Sequence, residues 1–296
     1  MRVMVTGKSG QLARALAQVS TGRDDLSFHG RDTVDLAKAG AAAKAIAAAR
    51  PDLVINAAAY TAVDQAESEP EAAHRLNAAA PGEIAGACAD AGAALIHIST
   101  DYVFDGTGAR AYRETDATGP IGVYGASKLA GEAAALTANP RTVVLRTSWV
   151  YSPWGRNFVL TMLNLARTRP ELRIVDDQRG NPTSALDLAE ACSGLAPRLA
   201  GAAAGDPVWG LYHYAGRGTC SWADFAAEIF ALAARHGVPV PQIERIGTAD
   251  YPTPARRPAN SALDTSKFEA TFGMDTVPWQ QALARVIGMI MKESSA

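Results

Sequence analysis

Tyr124 and Lys128 are the residues of this sequence whose types and spacing most directly suggest chemistry. They lie four positions apart in a predicted helix over residues 124–138, so both side chains project from one helix face, one turn apart. An ammonium about 4–5 Å from a phenol stabilises the phenolate by about 3–4 kcal/mol at an effective dielectric constant of about 20. We therefore expect Lys128 to lower the pKa of Tyr124, which makes this phenol a proton donor near neutral pH.

Two hydroxyl residues strengthen this interpretation. Ser99 and Thr100 directly follow a predicted strand over residues 94–98, at the carboxyl edge where parallel α/β sheets bind ligands. A hydroxyl at this edge can hydrogen-bond the same substrate oxygen that Tyr124 protonates. The spacing Tyr-x-x-x-Lys arises by chance in many helices, so the prediction of a catalytic site depends on these neighbours.

A glycine turn joins the first predicted strand, residues 3–5, to the first helix. Gly7 permits a tight turn, Gly10 lets the backbone approach a pyrophosphate, and the small Ala13 allows close helix–strand packing. The helix N-terminus adds N–H groups and a dipole that favour an anion. A phosphate loop of the G-x-x-x-x-G-K-[ST] type is excluded, because it needs a glycine upstream of Gly7. The turn therefore predicts a dinucleotide site.

The residues that follow the second predicted strand bear on the choice of dinucleotide. Arg31, together with Lys8 in the turn, can neutralise a 2′-phosphate, whereas Asp32 would oppose one. Asp35 and Leu36 can flank the adenine. Arg31 can instead be a solvated surface charge with no role in cofactor binding. We predict NADPH as the cofactor, with NADH tolerated.

Short apolar strands alternate with helices through the first half of the chain, which is typical of a parallel sheet covered on both faces. The predicted fold class is α/β, a doubly wound, Rossmann-like parallel sheet with a smaller C-terminal substrate-binding lobe. Residues 1–150 are predicted to form the dinucleotide-binding domain, with strands returned to it from about 171–215. Residues 151–296 are predicted to form mainly the smaller, substrate-binding lobe. Helices are expected over residues 38–49, 70–91, 157–168, 185–198 and 221–236.

Composition excludes several classes of function. With 28 Lys and Arg against 30 Asp and Glu, the net charge of −2 offers no basic surface for nucleic acid or a membrane. No apolar run approaches the 18 or so residues of a membrane span. The three cysteines are far apart and form no C-x-x-C pair, and no histidine has metal-ligand spacing. We expect a cytoplasmic protein with no metal site.

Taken together, the motifs resemble the extended short-chain dehydrogenases/reductases, and among them the dTDP-4-dehydrorhamnose reductase family. The likeness runs from end to end of the chain. It is carried by the glycine turn and by residues 56–60, 61–64, 67–70, 99–104, 114–116, 124–128, 128–132, 146–151, 157–158, 176–178, 182–183 and 257–261. Single motifs are generic to the wider family, whereas their joint order is typical of this reductase.

The resemblance implies an activity and a role for each matching residue. It implies reduction by NAD(P)H of the C4 ketone of dTDP-6-deoxy-L-lyxo-4-hexulose to dTDP-L-rhamnose, the last step of dTDP-rhamnose synthesis. Tyr124 would protonate the oxygen, Thr100 would orient the carbonyl, and Lys128 would hold the nicotinamide ribose. The implied substrate-binding residues are Thr100, Asp101, Tyr102, Tyr124, Trp149 and Asn157. The implied cofactor-binding residues are Gly7, Lys8, Ser9, Gly10, Gln11, Leu12, Arg31, Asp35, Leu36, Ala57, Ala58, Ala59, Tyr60, Tyr124 and Lys128.

Two of the implied roles have structural alternatives, and the chain departs from the family pattern at two positions. Trp149 can instead fill the boundary between lobes, and Asp101 can brace its loop. The third glycine of the turn is Ala13, which still fits close packing. The resemblance implies that some family members hold Mg²⁺ at a dimer contact with a glutamate whose counterpart is Ala15, so we expect no such ion here. A homodimer is predicted.

Two other functions stay open at this point. One is a different sugar-nucleotide enzyme on the same scaffold, an epimerase, dehydratase or other reductase that uses the same tyrosine and lysine. Asp101-Tyr102 replaces the acidic pair that a dehydratase needs, which argues against that reaction. The other is a non-catalytic nucleotide-binding regulatory subunit, against which the presence of Thr100, Tyr124 and Lys128 argues.

Overall fold

Six parallel strands form the central sheet of the computed structural model, which describes residues 1–20 and 25–293. The strands are β1 (Arg2–Thr6), β2 (Asp25–His29), β3 (Leu53–Asn56), β4 (Ala94–Thr100), β5 (Thr142–Thr147) and β10 (Gly210–His213). Their order across the sheet is β2-β1-β3-β4-β5-β10. The chain runs outward from β1 to β2 and then crosses back to β3, so the direction of winding reverses between β1 and β3. A doubly wound sheet binds its ligand at the carboxyl ends of such a pair.

Helices cover both faces of the sheet, as the apolar strands predict. They are α1 (Gln11–Val19), α2 (Ala41–Ala49), α3 (Val63–Ala66), α4 (Pro70–His74), α5 (Ala80–Ala91), α6 (Val123–Ala138), α7 (Phe158–Ala166), α8 (Ala185–Gly201), α9 (Trp222–Ala234), α10 (Ser266–Phe272) and α11 (Trp279–Glu293). One apolar core joins the sheet to α1 and α8 and continues into α9 and α11, and a second lies under α2 and α5. The predicted α/β fold class is confirmed.

The second half of the chain supplies three two-stranded sheets. They are β6 (Val150–Tyr151) with β9 (Thr183–Ser184), β8 (Arg179–Gly180) with β11 (Cys220–Ser221), and β7 (Glu171–Val175) with β12 (Gln242–Ile246). Of the strands in the segment 171–215, β10 alone lies in the central sheet. β7 alternates exposed and less exposed residues, a pattern that does not suit a sheet buried on both faces.

The helix predicted over residues 70–91 is interrupted. A π-helical segment, Arg75–Ala79, separates α4 from α5. Asn77 within it is fully buried, and its Nδ2 donates to the Tyr60 carbonyl at 3.0 Å and to Ser127 Oγ at 3.0 Å. Such segments frequently occur at functional sites. Here the widened turn directs an amide side chain between the loop after β3 and α6.

α6, which carries Tyr124 and Lys128, packs against neighbouring backbone without intervening side chains. A Cβ at Gly125 would collide with the Tyr102 carbonyl, and a Cβ at Gly131 with the Asn77 carbonyl. These two glycines therefore set the distance between α6 and the loops that surround it. The depth of Tyr124 and Lys128 in the fold depends on this close approach.

Replacing Gly131 by Ala should lower the free energy of unfolding by about 1–3 kcal/mol, because the added methyl group overpacks the contact with Asn77. Gly86→Ala on α5 is the matched control: a Cβ there meets nothing within 4 Å. That control should stabilise the protein by about 0.5–1 kcal/mol through helix propensity. Urea unfolding of both variants measures this, and equal effects would contradict the packing argument.

Candidate active site

The glycine turn lies against the loop that follows β3, at the reversal point of the sheet. Gly7 has φ +80°, and a Cβ on it would stand 3.0 Å from the Ala58 backbone. The Gly10 N–H donates to the Gly7 carbonyl at 2.7 Å and Gly10 then caps the N-terminus of α1. A side chain at Gly7 would therefore collide with the backbone of the neighbouring loop. The N–H groups at the N-terminus of α1 follow directly after the turn. These features fit the pyrophosphate of a dinucleotide.

The other residues predicted to bind the cofactor lie around this turn in different environments. Arg31 is exposed just beyond β2, and Lys8 Nζ stands 3.9 Å from Asp32 Oδ2. The Asp35 carboxylate accepts the Ala37 N–H at 3.1 Å, and the Leu36 side chain is buried in the core beside α2. The basic groups therefore face solvent near the turn, while Leu36 is held in the core.

The loop over residues 57–60 is held by hydrogen bonds to the π-helical segment. The Tyr60 N–H donates to Asn77 Oδ1 at 2.8 Å, and the Tyr60 hydroxyl donates to Glu69 at 2.7 Å. Asn77 thus determines where Ala57, Ala58 and Ala59 present their backbone beside the glycine turn. Sequence reasoning did not select Asn77, because the helical pattern over residues 70–91 shows no sign of the π-helical turn.

Thr100 and Tyr124 meet at the carboxyl end of β4. Burial raises the pKa of Tyr124, the neighbouring Thr100 hydroxyl lowers it and the charge of Asp101 raises it, so that the net change is upward. The Tyr124 ring also packs edge-on against Tyr102, with ring centroids 5.6 Å apart. The arrangement places a threonine hydroxyl and a phenol side by side, as the sequence predicts.

The pKa of Tyr124 is raised and not lowered in this structure, so the expectation of a lowered pKa is wrong. Lys128 lies in a different environment. Its Nζ donates to the Ile98 carbonyl at 2.6 Å, and its side chain is buried. Burial lowers the pKa of Lys128 to about 8, against the charge of Glu132, which raises it. The four-residue spacing places the ammonium and the phenol on the same helix face, but the ammonium donates its hydrogen bond to the β4 backbone.

Ser99 belongs to a separate buried cluster. Its hydroxyl donates to Glu132 Oε1 at 2.5 Å, and Arg146 donates to both oxygens of the same carboxylate at 2.8 and 2.7 Å. Both charged side chains are nearly inaccessible to solvent. This bidentate pair joins α6 to β5 and commits Ser99 to a structural role, which leaves Thr100 as the hydroxyl beside Tyr124.

Asp101 and Tyr102 follow Thr100 in a short 3₁₀ turn, Asp101–Val103. Asp101 is only 2% exposed, and its Oδ1 accepts the Thr100 hydroxyl at 3.0 Å. Burial and the charge of Asp101 raise the pKa of Tyr102, against Arg257, which lowers it. Arg257 in turn donates to Asp64 Oδ2 at 2.8 Å. The loop that carries Arg257 is thereby tied to α3, which contains Asp64.

Trp149 stacks on Trp222, with ring centroids 3.5 Å apart and planes within 5°. Its backbone has φ +46°, an uncommon conformation for a bulky residue, and Gly180 leaves room for the indole. Trp222 is the first residue of α9, and sequence reasoning did not select it. The sequence pattern predicts a helix that begins near this residue, but it does not predict which side chain Trp222 stacks on. Trp149 therefore packs where β5 and β6 meet α9, which is the boundary position named as its structural alternative.

Asn157 caps α7, since its Oδ1 accepts the Leu160 N–H at 3.1 Å. Its Nδ2 donates to Gln11 Oε1 at 3.1 Å and to the carbonyls of Ser152 and Trp154. Gln11 also donates to the Val150 carbonyl at 3.3 Å. The N-terminus of α1 and the second lobe are therefore cross-linked by two amide side chains, a use that the sequence did not indicate.

Comparison with known proteins gives this geometry a family. The family model described as the RmlD substrate binding domain matches residues 1–291. The chain is 45% identical to the dTDP-4-dehydrorhamnose reductase of Sinorhizobium fredii over 99% of both chains, and 43% identical to that of Escherichia coli K12 over 97% of both. The chain belongs to the dTDP-4-dehydrorhamnose reductase family.

Solved structures of the dTDP-4-dehydrorhamnose reductase family agree with the fold. The Clostridium acetobutylicum protein superimposes with a TM-score of 0.91 at 36% identity, covering 98% of this chain and 99% of that one. The Bacillus anthracis protein, solved in complex with NADP, gives 0.90 at 33% identity, covering 97% and 99%. A dTDP-glucose 4,6-dehydratase from Streptomyces venezuelae, at 17% identity and a TM-score of 0.78, shares the fold.

Ala15 is fully buried in the core that joins α1 and α8. Within residues 1–20 and 25–293, no group of three or more His, Cys, Asp or Glu side chains is placed to hold a metal ion. None of the described helices is long and apolar enough to cross a membrane. The homodimer stays a prediction, which sedimentation of the purified protein can test.

Because burial dominates, Tyr124 should stay protonated where free tyrosine ionises. At about pH 10, half of free tyrosine is the tyrosinate. The protein and its Tyr124→Phe variant should therefore give equal tyrosinate absorbance per molecule up to that pH. A smaller signal in the variant would show that Tyr124 ionises with the exposed tyrosines.

Proposed function

We propose that this protein reduces the C4 ketone of dTDP-6-deoxy-L-lyxo-4-hexulose to dTDP-L-rhamnose with NAD(P)H. The observation that carries the proposal is the contact between Thr100 and Tyr124 at the sheet edge that also holds the glycine turn. The relatives that the chain matches over nearly their whole length are named for this reduction. An intact pair of this kind favours a working enzyme over a non-catalytic subunit.

Residues around the glycine turn would hold the dinucleotide. Gly7, Ser9, Gly10, Gln11 and Leu12 would bind the pyrophosphate through their backbone and the α1 N-terminus. Lys8 and Arg31 would bind a 2′-phosphate, Asp35 and Leu36 would lie beside the adenine, and residues 57–60 would line the opposite wall. We propose NADPH as the cofactor, with NADH tolerated, and the relative solved with NADP supports this choice. No Mg²⁺ is included in the proposal.

The protein's own groups would handle the proton of the reaction. A reduced nicotinamide, when bound, supplies the hydride that the carbonyl carbon accepts. Tyr124 would donate its proton to the carbonyl oxygen, while Thr100 would hold that oxygen in place. Lys128, anchored on the β4 backbone at the Ile98 carbonyl, would contact the ribose and contribute positive charge beneath the site.

The sugar nucleotide would lie between the two lobes. We propose that Trp149 packs on the sugar with the part of its indole ring that Trp222 does not cover. Tyr102 and Asn157 would line the same cleft. Asp101 would act on the substrate through Thr100, because its carboxylate is buried behind that hydroxyl. The division into residues 1–150 for the dinucleotide and mainly 151–296 for the sugar nucleotide follows this arrangement.

A cytoplasmic setting is part of the proposal. All three cysteines, Cys88, Cys192 and Cys220, are free thiols and buried. Proteins that keep unpaired cysteines are typical of reducing compartments.

Replacing Tyr124 by Phe should lower kcat by about 100-fold or more, since the proton donor is lost, while the Kd for NADPH stays nearly unchanged. The assay follows nicotinamide absorbance with the 4-keto sugar nucleotide generated in situ, and nuclear magnetic resonance identifies the product sugar. Tyr212→Phe, on the edge strand β10, is the matched control and should keep full activity. Near-normal turnover of Tyr124→Phe would reject the assignment of the proton donor.

The same assay with dTDP-, UDP- and GDP-linked substrates tests the nucleotide. The proposal predicts the highest kcat/KM for the dTDP form. If the unmodified protein turned over none of the three substrates, the proposed function itself would be rejected.

Replacing Arg31 by Ala should raise the KM for NADPH by about 10-fold and leave the KM for NADH nearly unchanged, because only NADPH carries the 2′-phosphate. Arg50→Ala, an exposed arginine at the opposite end of the sheet, serves as the control. Equal effects of Arg31→Ala on both cofactors would remove Arg31 from the site.

A further inference from the structure

The Trp149 indole is held by contacts with other rings and with a glycine. It stacks on Trp222 with ring centroids 3.5 Å apart, and its centroid lies 6.5 Å from that of Phe225. A side chain at Gly180 would collide with the same indole. Hydrophobic contact between stacked rings is non-directional. A fixed orientation of Trp149 therefore requires that Trp222, the ring that covers it, is itself fixed.

Trp222 is fixed by a chain of hydrogen bonds. Its Nε1–H donates to Gln178 Oε1 at 3.2 Å, and Gln178 is only 7% exposed. Gln178 Nε2 donates to Thr248 Oγ1 at 3.0 Å. The Thr248 hydroxyl in turn donates to Asp177 Oδ1 at 2.6 Å. The chain thus runs from an indole at the boundary between the lobes to a carboxylate.

This chain can run in only one direction. Burial raises the pKa of Asp177, but the hydrogen bonds from the Thr248 hydroxyl and N–H lower it, and the net change is downward. An ionised carboxylate can only accept, so Thr248 gives it the one hydroxyl hydrogen and accepts from Gln178. The amide oxygen of Gln178 is thereby turned toward Trp222, whose N–H can only donate.

We propose that Gln178 and Trp222 are positioning residues of the sugar site, which hold the Trp149 indole in the orientation that receives the sugar. The inference rests on the proposed function, because it requires that the sugar packs on Trp149. It gives a task to residues 176–178, which belong to the family resemblance and have no other assigned role.

Burial separates the two tryptophans from the group that orients them. Trp149 and Trp222 are both partly exposed, whereas Gln178 is buried. The indoles therefore keep ring surface available at the boundary between the lobes. A buried donor or acceptor that loses its partner is costly to leave unpaired. Loss of the Gln178 amide should therefore release Trp222 from its present orientation, and Trp149 with it.

The first measurement needs no substrate. Two stacked indoles couple electronically and give an exciton couplet in far-ultraviolet circular dichroism, which the unmodified protein should show. Trp222→Phe keeps a ring in place but removes one indole, so the couplet should be absent. Gln178→Met keeps the side-chain volume without either hydrogen bond and should lose most of the couplet amplitude. Trp209→Phe, which removes an indole that donates to the Ala203 carbonyl elsewhere, should keep it.

The couplet decides whether Gln178 holds the stacked pair. An unmodified protein without a couplet would overturn the proposal, because the two indoles would not be stacked in solution. A couplet of unchanged amplitude in Gln178→Met would overturn it as well, because Trp222 would keep its orientation without the amide.

The second measurement is kinetic and uses the dTDP-linked 4-keto sugar with saturating NADPH. Gln178→Met and Trp222→Phe should each raise the KM for the sugar nucleotide by about tenfold, the size expected when one oriented contact is lost. The Kd for NADPH should stay unchanged, and kcat should fall by less than the KM rises. General damage to the fold would instead weaken NADPH binding as well. Trp209→Phe should leave all three quantities unchanged.

A KM for the sugar nucleotide that stays unchanged in Gln178→Met, although the couplet is lost, would overturn the proposal. The stack would then be packing between the lobes with no part in sugar binding. An unmodified protein that binds NADPH but reduces no sugar nucleotide would reject the proposed function instead. The couplet would still show in that case whether Gln178 holds the stacked pair.

Discussion

The close approach of α6 to neighbouring backbone is the constraint on which the site depends. Gly125 and Gly131 leave no space between this helix and the carbonyls of Tyr102 and Asn77. Larger residues would move the helix outward, and Tyr124 would leave the end of β4. The glycine turn after β1 shows the same logic, since Gly7 meets the backbone of Ala58 directly. Backbone contacts of this kind position side chains more firmly than side-chain packing alone.

Buried charge fixes α6 in rotation as well as in depth. Glu132 is held by Arg146 and Ser99, and Lys128 is held by the Ile98 carbonyl, so successive turns of the helix are bonded to β4 and β5. Breaking such a buried pair typically costs about 3–5 kcal/mol, because one charge is left uncompensated. The polar groups beneath the site therefore act as a rigid support for Tyr124.

Sequence reasoning predicted much of this arrangement, because local patterns carry it. The order of strands and helices, the glycine turn and the meeting of Thr100 with Tyr124 follow from periodicity and from the rule that parallel strands end at one edge. Long-range partners were beyond such patterns. The stacking of Trp149 on Trp222 and the hydrogen bonds from Asn77 to Tyr60 and from Asn157 to Gln11 join residues that the sequence patterns do not pair. The expected lowering of the Tyr124 pKa failed for a related reason, because the four-residue spacing does not reveal the burial that raises this pKa.

The central claim is that Thr100 and Tyr124 together hold one carbonyl oxygen at the carboxyl end of β4. A crystal structure of the protein with NADP⁺ and the dTDP-linked sugar measures this directly. The account predicts that the C4 oxygen lies within about 3.2 Å of both Tyr124 Oη and Thr100 Oγ1. A sugar bound with its C4 oxygen out of reach of Tyr124 would contradict it.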